Sequence, residues 1–228
     1  MSATTGEATT GGATGGGATA RRPSRVAKLP PRERILDAAE ELFQSEGIRR
    51  VGVQAIADRA ETTKAAIYRH FETKDALVAE WLRIVAADYQ AAFDRVEATH
   101  PDAPREQILG LARFIAEGLP TLSYRGCPFI NSLAELPDRS HPARQVIEEH
   151  KARQTRRLVA LCEEAGLTDP AQTAAEITFL LEGAQVSTQN GSIDRIGDRL
   201  LGIVEALLDR CAPPPARTAP DSPPPGRS

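Results

Sequence analysis

Apolar positions recur at helical spacing along most of the chain. In residues 31–46, Ile35, Ala38, Ala39 and Leu42 fall at i, i+3, i+4 and i+7, one face of a helix. Gly47 stands where a left-handed residue ends such a helix. Val53, Ile56, Ala57 and Ala60 repeat the spacing in a second helix, with Gly52 as its N-cap. After a break at Glu61-Thr62-Thr63, residues 64–71 make a short third helix with Ile67 and Phe71 inward. Thr73 caps a longer fourth helix that starts at Lys74 and runs to about Ala98. Further helices are predicted over about 104–118, from Gly126-Cys127-Pro128 to about Leu136, from Pro142 to about Ala165, and from Pro170 to about Val186. A last one is capped by Ser192 and carries the stripe Ile196, Leu200, Ile203, Val204 and Leu207. No alternating strand pattern and no internal repeat occurs, so the fold class is all-α with about nine helices.

Composition narrows this. Six of the 17 Gly lie in residues 1–17 and seven of the 17 Pro in residues 213–225, which marks both ends as low-complexity. The expected organisation is a disordered leader with a basic arm (1–29), a helix-turn-helix unit (30–74), a second helical unit (75–211) and a Pro-rich tail (212–228). No apolar run reaches the ~18 residues of a membrane span. No secretory pattern opens the chain, and its three Cys form no CxxC pair. These features point to a cytoplasmic protein. His100, His141 and His150 lack metal-ligand spacing, and no cofactor fingerprint is present, so neither metal nor cofactor is expected. Enzyme chemistry has no positioned triad to support it.

The net charge of −3 hides an asymmetry. Residues 21–74 carry 12 Lys and Arg against 8 Asp and Glu, whereas residues 75–210 carry 14 against 21. A basic first part joined to an acidic second part suits a protein that offers only its head to an anionic partner. Residues 47–74 have the matching shape: two short helices joined by a three-residue break, a helix-turn-helix. Its second helix would lie in the DNA major groove. With Ile67 and Phe71 inward, Ala65 and Arg69 face out. Ala65 permits close approach to thymine methyls, and Arg69 reaches phosphate or guanine. Tyr68 offers a hydroxyl to phosphate. Thr63 either caps the helix or turns its hydroxyl to DNA. Lys74 is a cation in the first turn of a helix, where the macrodipole opposes it, and a phosphate would relieve that conflict.

The stretches Val53-Gln-Ala-Ile-Ala-Asp-Arg-Ala, Thr63-Lys-Ala-Ala-Ile-Tyr-Arg-His-Phe71 and Lys74-Asp-Ala-Leu77 resemble the TetR/AcrR family of bacterial transcriptional regulators. The resemblance covers about residues 32–80. It implies phosphate contacts at Tyr68 and Lys74, base reading around Thr63, Lys64 and Ala65, and His70 near DNA. It also implies a homodimer on a palindromic operator of double-stranded DNA, joined through the two C-terminal helices. A small-molecule effector would bind within residues 75–211 and, most often in this family, relieve repression. One departure is Glu61, which stands in a turn where the family often has Gly; at positive φ it would be strained by about 1 kcal/mol.

For the effector pocket, Trp81, Val85, Tyr89, Phe114 and Tyr124 are candidate lining residues. Cys127, Asn131 and Glu135 share a helix face and form a polar stripe beside them. Ordinary helix-surface roles for Asn131 and Glu135 remain equally open. Cys127 sits near a helix N-terminus and Arg125, both of which lower a thiol pKa, so a thiol-based sensor is one alternative; simple packing of the thiol is the other. A DNA-organising protein without ligand is a third possibility.

Overall fold

The computed structural model describes residues 29–120 and 126–213. The basic arm, the Pro-rich tail from residue 214 on, Tyr124 and Arg125 therefore lie outside the described residues. Among those described, nine helices and no strand are found: α1 Pro31–Glu46, α2 Val53–Arg59, α3 Lys64–His70, α4 Lys74–Thr99, α5 Pro104–Gly118, α6 Pro128–Glu135, α7 Pro142–Glu164, α8 Pro170–Thr188 and α9 Ile196–Arg210. The all-α expectation holds.

Local chemistry explains the boundaries. The Thr63 and Thr73 hydroxyls accept the Ala66 and Ala76 amides at 3.1 and 3.0 Å, and so start α3 and α4. His141 Nδ1 does the same for Ala143 at the head of α7. Proline opens α1, α5, α6, α7 and α8, where its missing N–H costs nothing. Gly47 ends α1 at φ 91° and ψ 153°, a region essentially reserved for glycine, rather than in the left-handed helical well. The start of α9 differs from expectation. Asn190 Oδ1 accepts the Ser192 amide at 2.9 Å in an Asx turn, and the helix begins only after Arg195 at φ 52°. Ser192 is thus a turn residue and not a cap.

The apolar side chains gather in two clusters. One joins α1, α2, α3 and the first half of α4, then continues into Cys127, Phe129 and Leu136 of the α6 region and into Ala143, Val146 and Ile147 of α7. The other joins Phe93 with α5, the second half of α7, α8 and α9. Tyr89 of α4 packs against both. At about 1.5 Å per residue, the 26-residue α4 is about 39 Å long and runs from the head deep into the second cluster.

Candidate functional site

The helix-turn-helix is built on its own core. Ile56 and Ala57 of α2 and Ala66 and Ile67 of α3 are buried, as is Phe71 just beyond. This packing leaves Thr63, Lys64, Ala65, Tyr68, Arg69 and His70 exposed together on α3 and its cap. Tyr68 is 50% exposed, a large ring that the described residues leave half open to solvent. The Thr63 hydroxyl accepts the Ala66 amide with its oxygen, so it caps α3 while its proton stays available to donate outward.

The turn between α2 and α3 is a Schellman motif. Thr62 N–H donates to Ala57 C=O at 2.9 Å and Glu61 N–H to Asp58 C=O at 3.2 Å. Such a motif needs positive φ at Glu61, and φ there is 50°. A side chain in this well is strained. Glu61→Gly is expected to raise stability by about 0.5–1 kcal/mol, read as a Tm about 1–4 °C higher. An unchanged or lower Tm would show that the Glu61 side chain compensates for its backbone.

Lys74 has a partner inside the protein. Its ammonium donates to the Ile48 carbonyl in the turn between α1 and α2. Burial pushes its pKa down, against the opposing pull of Asp75 and Glu135. Glu135 Oε2 in turn accepts the Arg49 N–H at 2.8 Å. Ile48 C=O and Arg49 N–H are two ends of one peptide unit, so the start of α4 and the end of α6 grip the same peptide of the head. A further tie at this level joins His141 Nε2 to Asp75 Oδ1 at 3.3 Å.

The polar stripe on α6 therefore divides its work. Glu135 holds the head. Asn131 Oδ1 accepts from Gln189 Nε2 at 3.2 Å, which links α6 to the end of α8. Gly126 makes the close approach possible: at φ 69°, a Cβ there would sit 2.5 Å from the Gln185 carbonyl oxygen. Cys127 lines a partly open cavity bounded by α4, α5, α7 and α8, with Tyr89, Phe129, Lys151, Glu182 and Gln185 also in its walls. Its volume is about 30 Å³.

Of the lining expected from sequence, Tyr89 and Cys127 reach this cavity. Trp81 does not: it is 3% exposed in the head core, with its ring centroid 5.4 Å from that of Phe43. Val85 is buried in the same cluster. Phe114 stands behind Tyr89 as an edge-on neighbour at 5.6 Å. The first half of α4 faces the head and only its second half faces the cavity, which helical spacing alone does not reveal. The expected lowering of the Cys127 pKa gives way to burial, which pushes the thiol up despite Lys151 and the backbone amides of Ile130 and Phe129. At 1% exposure it packs as a small apolar group.

Sequence reasoning missed Gln185, Lys151, Glu182 and His150. His150 stacks on Phe129 with centroids 4.2 Å apart and meets the Tyr89 ring edge-on. Burial first, then Lys151 and Arg153, lowers its pKa from 6.5 to about 4. The folded protein thus keeps it neutral where the unfolded chain takes up a proton. Stability should fall as pH drops from 6.5 towards 4, by about 3 kcal/mol from this group. His150→Phe should flatten that slope in denaturation curves; an unchanged slope would remove His150 as its cause.

No helix among the described residues is long and apolar enough to cross a membrane, and they contain no group of three His, Cys, Asp or Glu side chains placed to hold a metal. Fold and site together define a helix-turn-helix DNA-binding protein with a second helical core. A model of bacterial regulatory proteins of the tetR family matches residues 35–81, and a tetracyclin repressor-like C-terminal domain matches residues 114–195, together more than half of the chain. The chain belongs to the TetR family and is a DNA-binding transcriptional regulator. It is 23% identical over 152 residues to the HTH-type transcriptional regulator YjdC of Escherichia coli K12, covering 67% of this chain and 80% of YjdC. To the HTH-type transcriptional repressor DhaR of Mycobacterium sp. strain GP1 it is 29% identical, over 49% of this chain and 54% of DhaR. The crystal structure of SCO4454, a TetR-family regulator from Streptomyces coelicolor, superposes with a TM-score of 0.75 at 29% identity, covering 80% of this chain and 96% of SCO4454.

Proposed function

We propose that the protein is a cytoplasmic, ligand-responsive repressor that binds a palindromic operator as a homodimer and leaves it when a small molecule enters the cavity behind α6. The observation that carries the DNA part is α3: a capped helix, backed by core, whose exposed side is Thr63, Lys64, Ala65, Tyr68, Arg69 and His70. In this reading Lys64 and Ala65 read bases, Tyr68 and Lys74 hold phosphate, and Thr63, Arg69 and His70 support both. Residues 30–74 act as the DNA-binding unit and residues 75–211 as the effector and dimerisation unit.

The dimer is supported by the outer faces of α8 and α9. Ala174, Ile177, Leu181 and Ala184 turn into the subunit core, as do Leu200, Val204 and Leu207. A second apolar face remains outside: Phe179 is 72% exposed, Ile203 51% and Val186 43%. Exposed apolar groups clustered on adjacent helices suit a self-complementary interface.

Ligand and DNA communicate through α6. A ligand that moves Cys127 and Phe129 shifts a helix whose far end holds the Arg49 amide, and so biases the head between two placements. The shift in DNA affinity can only equal the ligand's differential affinity for those placements.

The test is selection of bound sequences from random duplex DNA at near-physiological salt. A palindrome with half-site centres about one helical turn (~34 Å) or a multiple of it apart is expected. No enrichment from a folded, dimeric preparation would overturn the reading.

A further inference from the structure

The cavity behind α6 has a definite chemistry. Its aromatic wall is organised around Tyr89, which meets Phe129 at 5.7 Å and 77° and Phe114 at 5.6 Å and 90°. Rings set edge-to-face offer an incoming ring both a face and an edge. At about 30 Å³ the space holds little more than a water, so any ligand must turn side chains aside. That favours a single ring over a fused one.

The polar groups select further, because several are already occupied. Thr178 donates back to Ala174 C=O at 2.9 Å and Thr155 to Lys151 C=O at 3.1 Å. Lys151 and Glu182 pair with each other at 2.8 Å, so the wall offers no uncompensated charge to an ionic ligand. Gln185 differs. It is 4% exposed, and its Oε1 is buried with no hydrogen-bond partner among the described residues. A buried acceptor left unpaired is a standing cost that a ligand donor removes.

We propose that this cavity takes a neutral, single-ring aromatic molecule bearing a hydrogen-bond donor, of the phenol class, with the ring against Phe129 and Tyr89 and the donor on Gln185 Oε1. The inference rests on the ligand-responsive reading above and specifies its ligand. An aryl carboxylate fits less well, since Lys151 is already paired with Glu182 and the Gln185 oxygen would repel its anion. An aryl ether fits less well because it brings no donor.

The experiment uses the full chain without DNA and three probes at neutral pH: phenol, anisole and benzoate. Calorimetric titration is expected to show phenol binding about tenfold tighter than anisole, with benzoate weakest. Gln185→Leu should bring phenol down to the level of anisole while leaving anisole within about twofold. Equal affinities in the wild type, benzoate the tightest, no phenol binding at millimolar concentration, or a phenol preference that survives Gln185→Leu would each overturn the assignment. The wild-type series decides alone if the variant does not fold. Release of DNA is a separate readout. Phenol that binds by way of Gln185 but leaves the DNA complex intact would refute the ligand-responsive reading, not the cavity's chemistry.

Discussion

Phe179→Glu should turn the proposed dimer into a monomer while leaving the subunit folded. Phe179 projects from α8 and is 72% exposed, so the subunit core does not depend on it. Gly183 and Val186 follow at i+4 and i+7 on the same face. Across a groove, Ile193, Ile196 and Ile203 complete an apolar surface. In a two-fold interface one substitution is felt twice, because each subunit presents the same patch to the other. A carboxylate there loses a large aromatic contact and must be desolvated, an effect of about 2–4 kcal/mol per site for central interface residues. The dimer dissociation constant should therefore rise at least about a thousandfold. Sedimentation at micromolar concentration should show a monomer with unchanged helical content. Operator affinity should collapse with it, because one head cannot hold two half-sites. A variant that remains dimeric would place the interface elsewhere on the molecule.

Ala65→Glu should abolish specific DNA binding. Ala65 lies exposed on α3, away from the buried Ala66 and Ile67, so the substitution does not disturb the core. In the proposed complex it lies at the base edges, where a longer, negative side chain clashes with bases and is repelled by phosphate. A loss of about a hundredfold or more on the selected operator is expected, with Tm nearly unchanged. Three other variants separate the roles. Tyr68→Phe and Lys74→Ala should weaken selected and scrambled duplexes by similar factors, about three- to tenfold. Lys64→Ala should instead change which bases are preferred. Lys74→Ala also cuts the bond to the Ile48 carbonyl, so its Tm should fall whereas that of Tyr68→Phe should not. Equal losses on both duplexes for every variant would contradict the division between phosphate holders and base readers.

The limits of inference from sequence differ from element to element. The extents of α1, α3 and α5 follow from neighbours in the chain. A proline opens α1 and α5, the Thr63 hydroxyl opens α3, and apolar spacing sets their inner faces. The same local logic placed Thr63, Lys64, Ala65, Tyr68, Arg69 and His70 outward, because Ile67 and Phe71 must turn inward. It also identified Glu61 as the strained position. These effects act within a few residues, and a sequence displays them directly.

Other features depend on which surface meets which. Periodicity marks Trp81, Val85 and Tyr89 alike as inner positions of α4, yet Trp81 and Val85 fill the head and Tyr89 reaches the cavity. Only the crossing of α4 between two cores separates them. The partner of Lys74 lies 26 residues away and that of Glu135 lies 86 residues away, and both converge on one peptide unit. Gln185 reads in sequence as an ordinary polar helix position, but the packing of α4, α5, α7 and α8 makes it a buried, unpaired acceptor. The sequence by itself determined the helices and the outward face of α3, because caps, prolines and periodicity are local. The tertiary structure decided the cavity, the grip of α4 and α6 on the head, and the outer faces of α8 and α9, because burial and pairing arise only between segments that are far apart in the chain.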